Sequence, residues 1–530
     1  MQYNSWIYLF PFLGITVLFY YIMPVKHRWK VLLSASLVFY WLACKWLLGY
    51  VVFSAGTIYF IGLKIGKLKS KLIEKKSVLS KEERKEYKMQ LQRKEKLWIF
   101  TACIINFGIL FFCKYFNFMG ENLNQLFGSL SLSIYIPHLN ILIPLGISFY
   151  TMAAISYVTD VARGTVKAES NYGRLLLFLI FFPVIIEGPI ERYDYLGKQL
   201  KEAHIFDFQN FCFGCQLIIW GLFQKVVLAD RVNVFVSAIF SQSSSYTGVP
   251  VILAILFYTF QLYMDFSGCI DIARGSAQLF GIHLTENFRR PFCATSVSEF
   301  WRRWHISLGT WFRDYIFYPV SFSNLFQKLS KYCRNHMSRY YAATIPGIFA
   351  LFCVWFSTGI WHGAEWKYIV YGLYYYIIMV AGMLTEPIFL IIFEKIHIDR
   401  TSKRYRFFQQ CRTFLLVNIG MLIFRAKDLK TAWNMLLSVK EPYMFKNGFF
   451  QWMCNVGGLR KLDLLLIFSS ILFLIFYGKY KEKDGNMRLY LSKQFIGIRW
   501  PIYLLSILAI ILIGAYGPGF GVADFIYAQF

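Results

Sequence analysis

Acidic residues are scarce in this chain: 29 Asp and Glu stand among 530 residues, against 56 Lys and Arg. Charged residues of both signs together make up only 16%. A soluble globular domain carries about a quarter, so that class is excluded. Paired metal-ligand cysteines are missing as well. Eleven cysteines are scattered through apolar stretches, and Cys212 and Cys215 form the single close pair, with no second pair at zinc spacing. They read as core packing, with no metal site and no disulfide framework. Gly/Ser linkers, internal repeats and a soluble segment of domain size are absent too. One integral domain over residues 1–530 is the simplest organisation. The first thirty residues have no basic leader and no small-residue cleavage site, so they read as an uncleaved first span.

What is present is apolar surface: 57% of residues are hydrophobic and 20% aromatic. Continuous apolar runs, each long enough for ~30 Å of hydrocarbon, recur along the chain. A β-barrel would instead alternate over short segments. The expected class is therefore all-α: a polytopic membrane protein with about eleven to thirteen membrane segments. Two of these, near 141–158 and 174–190, contain Pro144, Pro183 and Pro189 and are expected to be broken helices buried in protein.

The net charge of +27 fits cytoplasmic loops and anionic lipid headgroups, not nucleic acid. Residues 64–96 hold thirteen Lys and Arg against five Glu, which marks the segment as cytoplasmic. The basic turn Lys26–Lys30 belongs on the same side. Both termini are then expected outside the cytoplasm, in a cell membrane.

Few charged groups interrupt the apolar runs, and an ionisable group there is costly. His362 sits near the end of the charge-free run Tyr340–Ala364, and a second such run, Tyr368–Thr385, follows. Histidine can take and return a proton near neutral pH, which makes His362 the leading catalytic candidate. A packed, purely structural His362 is the competing reading. Glu365 would lie one turn on and could orient the imidazole if the helix continued. Trp301, Trp304, Leu308, Trp311 and Tyr315 recur at helical spacing over 300–319, with Arg302, Arg303, Arg313 and Asp314 between them. That pattern predicts an amphipathic helix, either an interfacial anchor or a polar wall for a charged substrate, and it carries His305. Asp265, Asp271 and Arg274 interrupt another apolar region, as do Asp160, Glu187 with Arg192, and Asp230 with Arg231. Such charges usually pair, so structural ion pairs compete with a functional role.

These residues fall in motifs that carry a resemblance. The motifs are IPLGISFYT (Ile143–Thr151), ISYVTDVARG (Ile155–Gly164), FFPVIIEGPIER (Phe181–Arg192) and GLFQKVVLADR (Gly221–Arg231). YTFQLYMDFSGCIDIARG (Tyr258–Gly275) and EFWRRWHISLGTWFRDYIFYP (Glu299–Pro319) follow, then GIWHGAEW (Gly359–Trp366) and IFRA (Ile423–Ala426). In this order the set resembles the membrane-bound O-acyltransferase (MBOAT) family, in its bacterial alginate O-acetyltransferase branch. The resemblance implies a ring of helices around a thin centre with a through-membrane tunnel. It implies His362 of WHG as the catalytic histidine and His305 of RRWHISL as the second. The implied reaction takes an acyl group, most simply acetyl, from a cytoplasmic thioester such as acetyl-CoA. The acyl group passes to an extracytoplasmic polysaccharide through an exported SGNH-hydrolase-type partner, and no cofactor is bound. Arg302, Arg303, Trp304, Asp265 and Lys225 are donor- or substrate-binding candidates. D-alanyl transfer to teichoic acid is the alternative within the family. A transporter or flippase is the alternative outside it, since broken helices and buried charges also mark transport paths. Glu187 and Cys269 depart from the family pattern, and both bear on the substrate and not on the histidine motifs.

Overall fold

The computed structural model describes residues 2–75, 78–202, 204–445, 448–482 and 487–516. Among the described residues the backbone is helical, and the one β contact is an isolated antiparallel bridge between Phe288 and Trp304. Nine helical stretches there are long and apolar enough to cross a membrane. The chain is thus an all-α, multi-pass membrane protein. One of the nine, Val25–Glu74, is built from two helices, Arg28–Cys44 and Leu48–Glu74, joined by a corner over Lys45–Leu47. The expected C-terminal end outside the cytoplasm falls on 517–530, outside the described residues.

The proline-bearing segments break as expected. The helix Ile147–Arg163 begins only after Pro144, with Gly146 at a left-handed φ of 65°. The helix Tyr172–Ile180 stops before Pro183, whose ring disfavours helical geometry at the residue ahead of it. The irregular chain that follows is buried: Phe181, Phe182, Ile185, Glu187 and Glu191 are each at most 3% exposed. Backbone of this kind is tolerated at membrane depth only inside protein.

Residue contacts fall into two compact units, Met1–Cys215 with Ala273–Thr285, and Gln216–Ile272 with Glu286–Phe530. In the first, the helix Leu48–Glu74 packs against Lys81–Ser129, Ile147–Arg163 and Tyr172–Ile180. The basic helix start at Lys81 is fixed by a capping box: Glu83 N–H donates to the Ser80 hydroxyl, and Ser80 N–H donates to the Glu83 carboxylate. Buried Glu169 accepts from the Tyr193 hydroxyl at 2.6 Å and pairs with Lys201, while Glu191 accepts from Thr285 N and Oγ1 at 2.6 and 3.0 Å. Asp160 lies 3.8 Å from Arg163 one turn on, the structural pairing weighed from sequence.

In the second unit, the helices Arg339–His362 and Trp366–Lys395 form a hairpin joined by three residues. Their close approach depends on two glycines. A Cβ on Gly372 would sit 2.3 Å from the Trp355 carbonyl oxygen, and one on Gly359 would sit 2.6 Å from that of Tyr368. Small residues let membrane helices approach in this way. The helix Lys403–Arg425 packs against the second arm of the hairpin. Its Asn418 accepts from the Thr259 hydroxyl of the helix Val249–Gln278 at 2.7 Å, which ties a third element to the assembly.

Several intramembrane charges of this unit pair with residues far along the chain. Lys225, 1% exposed, lies 2.6 Å from Asp265 and 2.8 Å from Asp230. Arg231 turns instead to Asp463, 232 residues away, and to the Ile513 carbonyl. Asp271 accepts from the Gln224 amide at 3.0 Å.

Candidate active site

The segment expected to be one amphipathic helix over 300–319 is broken at the histidine. Val297–Arg303 and Ile306–Phe312 are separate short helices, followed by a wider turn over Arg313–Phe317. His305 between them has φ 47° and ψ 52°, a left-handed conformation that costs a non-glycine residue of order 1–3 kcal/mol. The neighbouring strand-like segment imposes it. Arg289 N–H donates to the Arg303 carbonyl at 2.9 Å, and Ile306 N–H donates to the Asn287 carbonyl at 3.1 Å. Ser307 N–H donates to Asn287 Oδ1 at 2.9 Å. Asn287 is fully buried, so both chain atoms and side chain hold the turn in place. Helical spacing of aromatics gave no sign of this break, because the bonds that cause it come from residues twenty positions earlier.

His305 and His362 are both buried, at 2% and 3% exposure. They meet the same indole. The ring of Trp361 lies 5.7 Å from that of His305 and 4.9 Å from that of His362, centroid to centroid. His305 also meets Phe266 of the DFSG motif edge-on at 4.8 Å. His362 meets Tyr371 at 5.5 Å and Phe424 at 5.1 Å, both perpendicular. His362 therefore sits where three helix ends converge: the C-terminus of Arg339–His362, the first turns of Trp366–Lys395, and the last turn of Lys403–Arg425. Tyr371 and Phe424 also touch each other at 5.1 Å, closing the cage. Edge-to-face ring pairs contribute about 0.5–1.5 kcal/mol each beyond area burial, enough to fix ring orientation.

A second aromatic group ties the His305 arm to the hairpin. Trp301 packs at 5.1 Å on Trp355 and at 4.9 Å on Tyr375, one from each arm. Burial holds the His305 imidazole below the usual histidine range.

The other sequence candidates have partners elsewhere. Trp304 is buried against Phe288 and Phe300, as a packing residue. Arg303 forms an ion pair with Glu299 at 2.7 Å, and Arg302 donates to Ser298 at 3.2 Å. Lys225 and Asp265 hold each other. Glu365 does not orient His362: the helix ends at His362, Glu365 opens the next one, and its carboxylate lies 3.2 Å from Lys367. Sequence reading passed over Asn287, Phe266, Trp361, Tyr371 and Phe424. The last four lie in or beside the motifs quoted above, and Asn287 lies between two of them, twelve residues from each.

This all-α membrane protein thus brings two buried histidines to one indole. The sequence model described as "MBOAT, membrane-bound O-acyltransferase family" matches residues 85–334, a stretch that includes His305 and ends before His362. The chain is 32% identical over 485 residues to the Azotobacter vinelandii protein named "Probable alginate O-acetylase AlgI", covering 90% of this chain and 85% of that one. It is 28% identical to the Helicobacter pylori "Peptidoglycan O-acetyltransferase", over 82% and 79% of the two chains. It is 30% identical to the Bacillus subtilis "Teichoic acid D-alanyltransferase", over 55% and 70%. The chain belongs to the membrane-bound O-acyltransferase family, and it is an acyltransferase.

Proposed function

We propose that this protein moves an acetyl group from a cytoplasmic thioester, acetyl-CoA, through the cell membrane for O-acetylation of an extracytoplasmic polysaccharide. The convergence of His305 and His362 on Trp361 is the observation that carries this reading. His362 removes the proton from the attacking hydroxyl, and the oxygen adds to the thioester carbonyl. The C–S bond breaks and the thiolate recovers a proton as free thiol. A positioned base of this kind contributes about 10²–10⁴-fold. His305, packed on the same indole, is the second histidine of the site.

The acceptor at the outer face is an exported SGNH-hydrolase-type enzyme that finishes transfer to the polymer. Similarity along 90% of the chain to a protein named for alginate O-acetylation supports acetyl over other acyl groups. The shorter match to a teichoic acid D-alanyltransferase keeps D-alanyl transfer as the second reading. The test is ester analysis of the surface polymers in cells carrying His362→Ala. Loss of acetate esters, with the variant inserted at normal abundance, supports the proposal. Unchanged acetate refutes it, and loss of D-alanine esters instead favours the second reading.

A further inference from the structure

The first unit holds a basic cavity of about 450 Å³ whose lining includes none of the residues assigned to the transfer step. Lys26, Arg174, Lys201 and Glu202 line it together with Trp29 and Leu32. Lys201 is already paired with Glu169, which leaves Lys26 and Arg174 as the cations facing the cavity beside Glu202, and the cavity lies where the apolar helix Leu13–Ile22 gives way to the basic turn Val25–His27. A basic turn at the end of an apolar helix is the kind of place where lipid phosphates gather.

The walls are set by neighbours with other duties. Of the two cations nearest Trp29 in sequence order, Arg28 is fully engaged: its guanidinium donates to the carbonyls of Met23, Tyr21 and His204. Gln199 clamps the opposite wall, accepting from His283 N–H at 2.8 Å and donating to the His283 carbonyl at 2.9 Å. Arg174 differs from Arg28. Its guanidinium lies over the Trp29 ring at 5.4 Å, and its buried Nε–H has no hydrogen-bond acceptor among the described residues. A buried guanidinium donor without an acceptor is costly, so a ligand oxygen is the natural complement.

We propose that this cavity binds the phosphodiester headgroup of an anionic phospholipid. A phosphodiester offers several acceptor oxygens and one negative charge, which suits an arginine fork backed by Lys26. Trp29 and Leu32 give the glycerol backbone an apolar wall. The exposed side chains of Ile22, Met23 and Val25 continue outward as a surface for acyl chain. The same phosphate chemistry is found on soluble donors such as coenzyme A, so the source needs its own arm in the test.

The test is native mass spectrometry of the detergent-purified full chain with added phosphatidylglycerol or phosphatidylcholine. The wild type is expected to retain phosphatidylglycerol about tenfold better than phosphatidylcholine. Arg174→Gln combined with Lys26→Gln abolishes that preference. Lys26→Gln alone, at an exposed side chain where folding is not at stake, reduces it. Lys30→Gln, beside the cavity but not lining it, leaves it intact. Equal retention of the two lipids by the wild type overturns the proposal, as does an undiminished preference in the double variant with an unchanged melting temperature. In parallel, coenzyme A and inorganic phosphate are titrated without lipid. Saturable binding of either that disappears in the double variant, with no lipid preference, overturns the lipid source in favour of a soluble phosphate.

Discussion

Replacing Gly372 with alanine tests whether the hairpin crossing positions His362. Two effects oppose each other. Alanine in a helix interior is favoured over glycine by roughly 0.5–1 kcal/mol. Against this, the new Cβ would lie 2.3 Å from the Trp355 carbonyl oxygen, and to reach even 3.0 Å the helices must part by about 0.7 Å. Overpacking of this sort costs typically ~1–3 kcal/mol, so the clash outweighs the propensity gain. The functional loss is expected to be larger than the stability loss. His362 stands three residues beyond Gly359, the glycine facing Gly372, and about 1 Å of misplacement costs on the order of 100-fold in a positioned reaction. Gly372→Ala is therefore expected to lower the melting temperature in detergent by several degrees and acyl transfer by ten- to a hundredfold. The same helix supplies a control. Gly382 has open space where its Cβ would be, so Gly382→Ala is expected to keep full activity with equal or higher stability. A Gly372→Ala protein as stable and active as the wild type would refute the reasoning.

Three other outcomes follow from the site and its supports. His362→Ala is expected to abolish acyl transfer in proteoliposomes while keeping a normal size-exclusion profile, with a melting temperature lowered by several degrees through the lost ring contacts. Asn287→Ala removes the acceptor of the buried Ser307 N–H and should destabilise the protein by about 1–3 kcal/mol, whereas Asn287→Asp keeps that acceptor and should recover most of the stability; equal melting temperatures for the two variants would remove Asn287 from the account of the His305 turn. Lys225→Met leaves Asp230 and Asp265 buried without their cation, with an expected cost of about 3–5 kcal/mol read from thermal unfolding. Adding Asp265→Leu should restore part of that loss, and an additive double variant would show that the pair does not interact.

The membrane class was legible because apolar runs declare themselves by length, and the proline breaks at 144 and 183 because proline acts on its own backbone and the residue before it. The histidines were legible as expensive groups in apolar runs. Their surroundings were not. The His305 turn is made by Asn287, Phe288 and Arg289, and periodicity over 300–319 carries no trace of bonds from a different segment. The cage rings Tyr371 and Phe424 looked like any other membrane aromatics, in a chain where one residue in five is aromatic. The charges were misjudged for a related reason. Asp230 and Arg231 are neighbours in sequence but point to Lys225 and Asp463, and helix geometry sends adjacent side chains to different faces.

The Arg231–Asp463 pair sets a schedule for biosynthesis. At roughly 5–20 residues per second, the ribosome needs about 12–46 s to travel the 232 residues from Arg231 to its carboxylate. For that interval a guanidinium must wait at membrane depth with its final partner not yet made. Nascent chains halted before residue 463 should stay accessible at Arg231 to water or to an insertion factor, and the unit around the histidines can close only once the late helix Lys461–Glu482 has arrived.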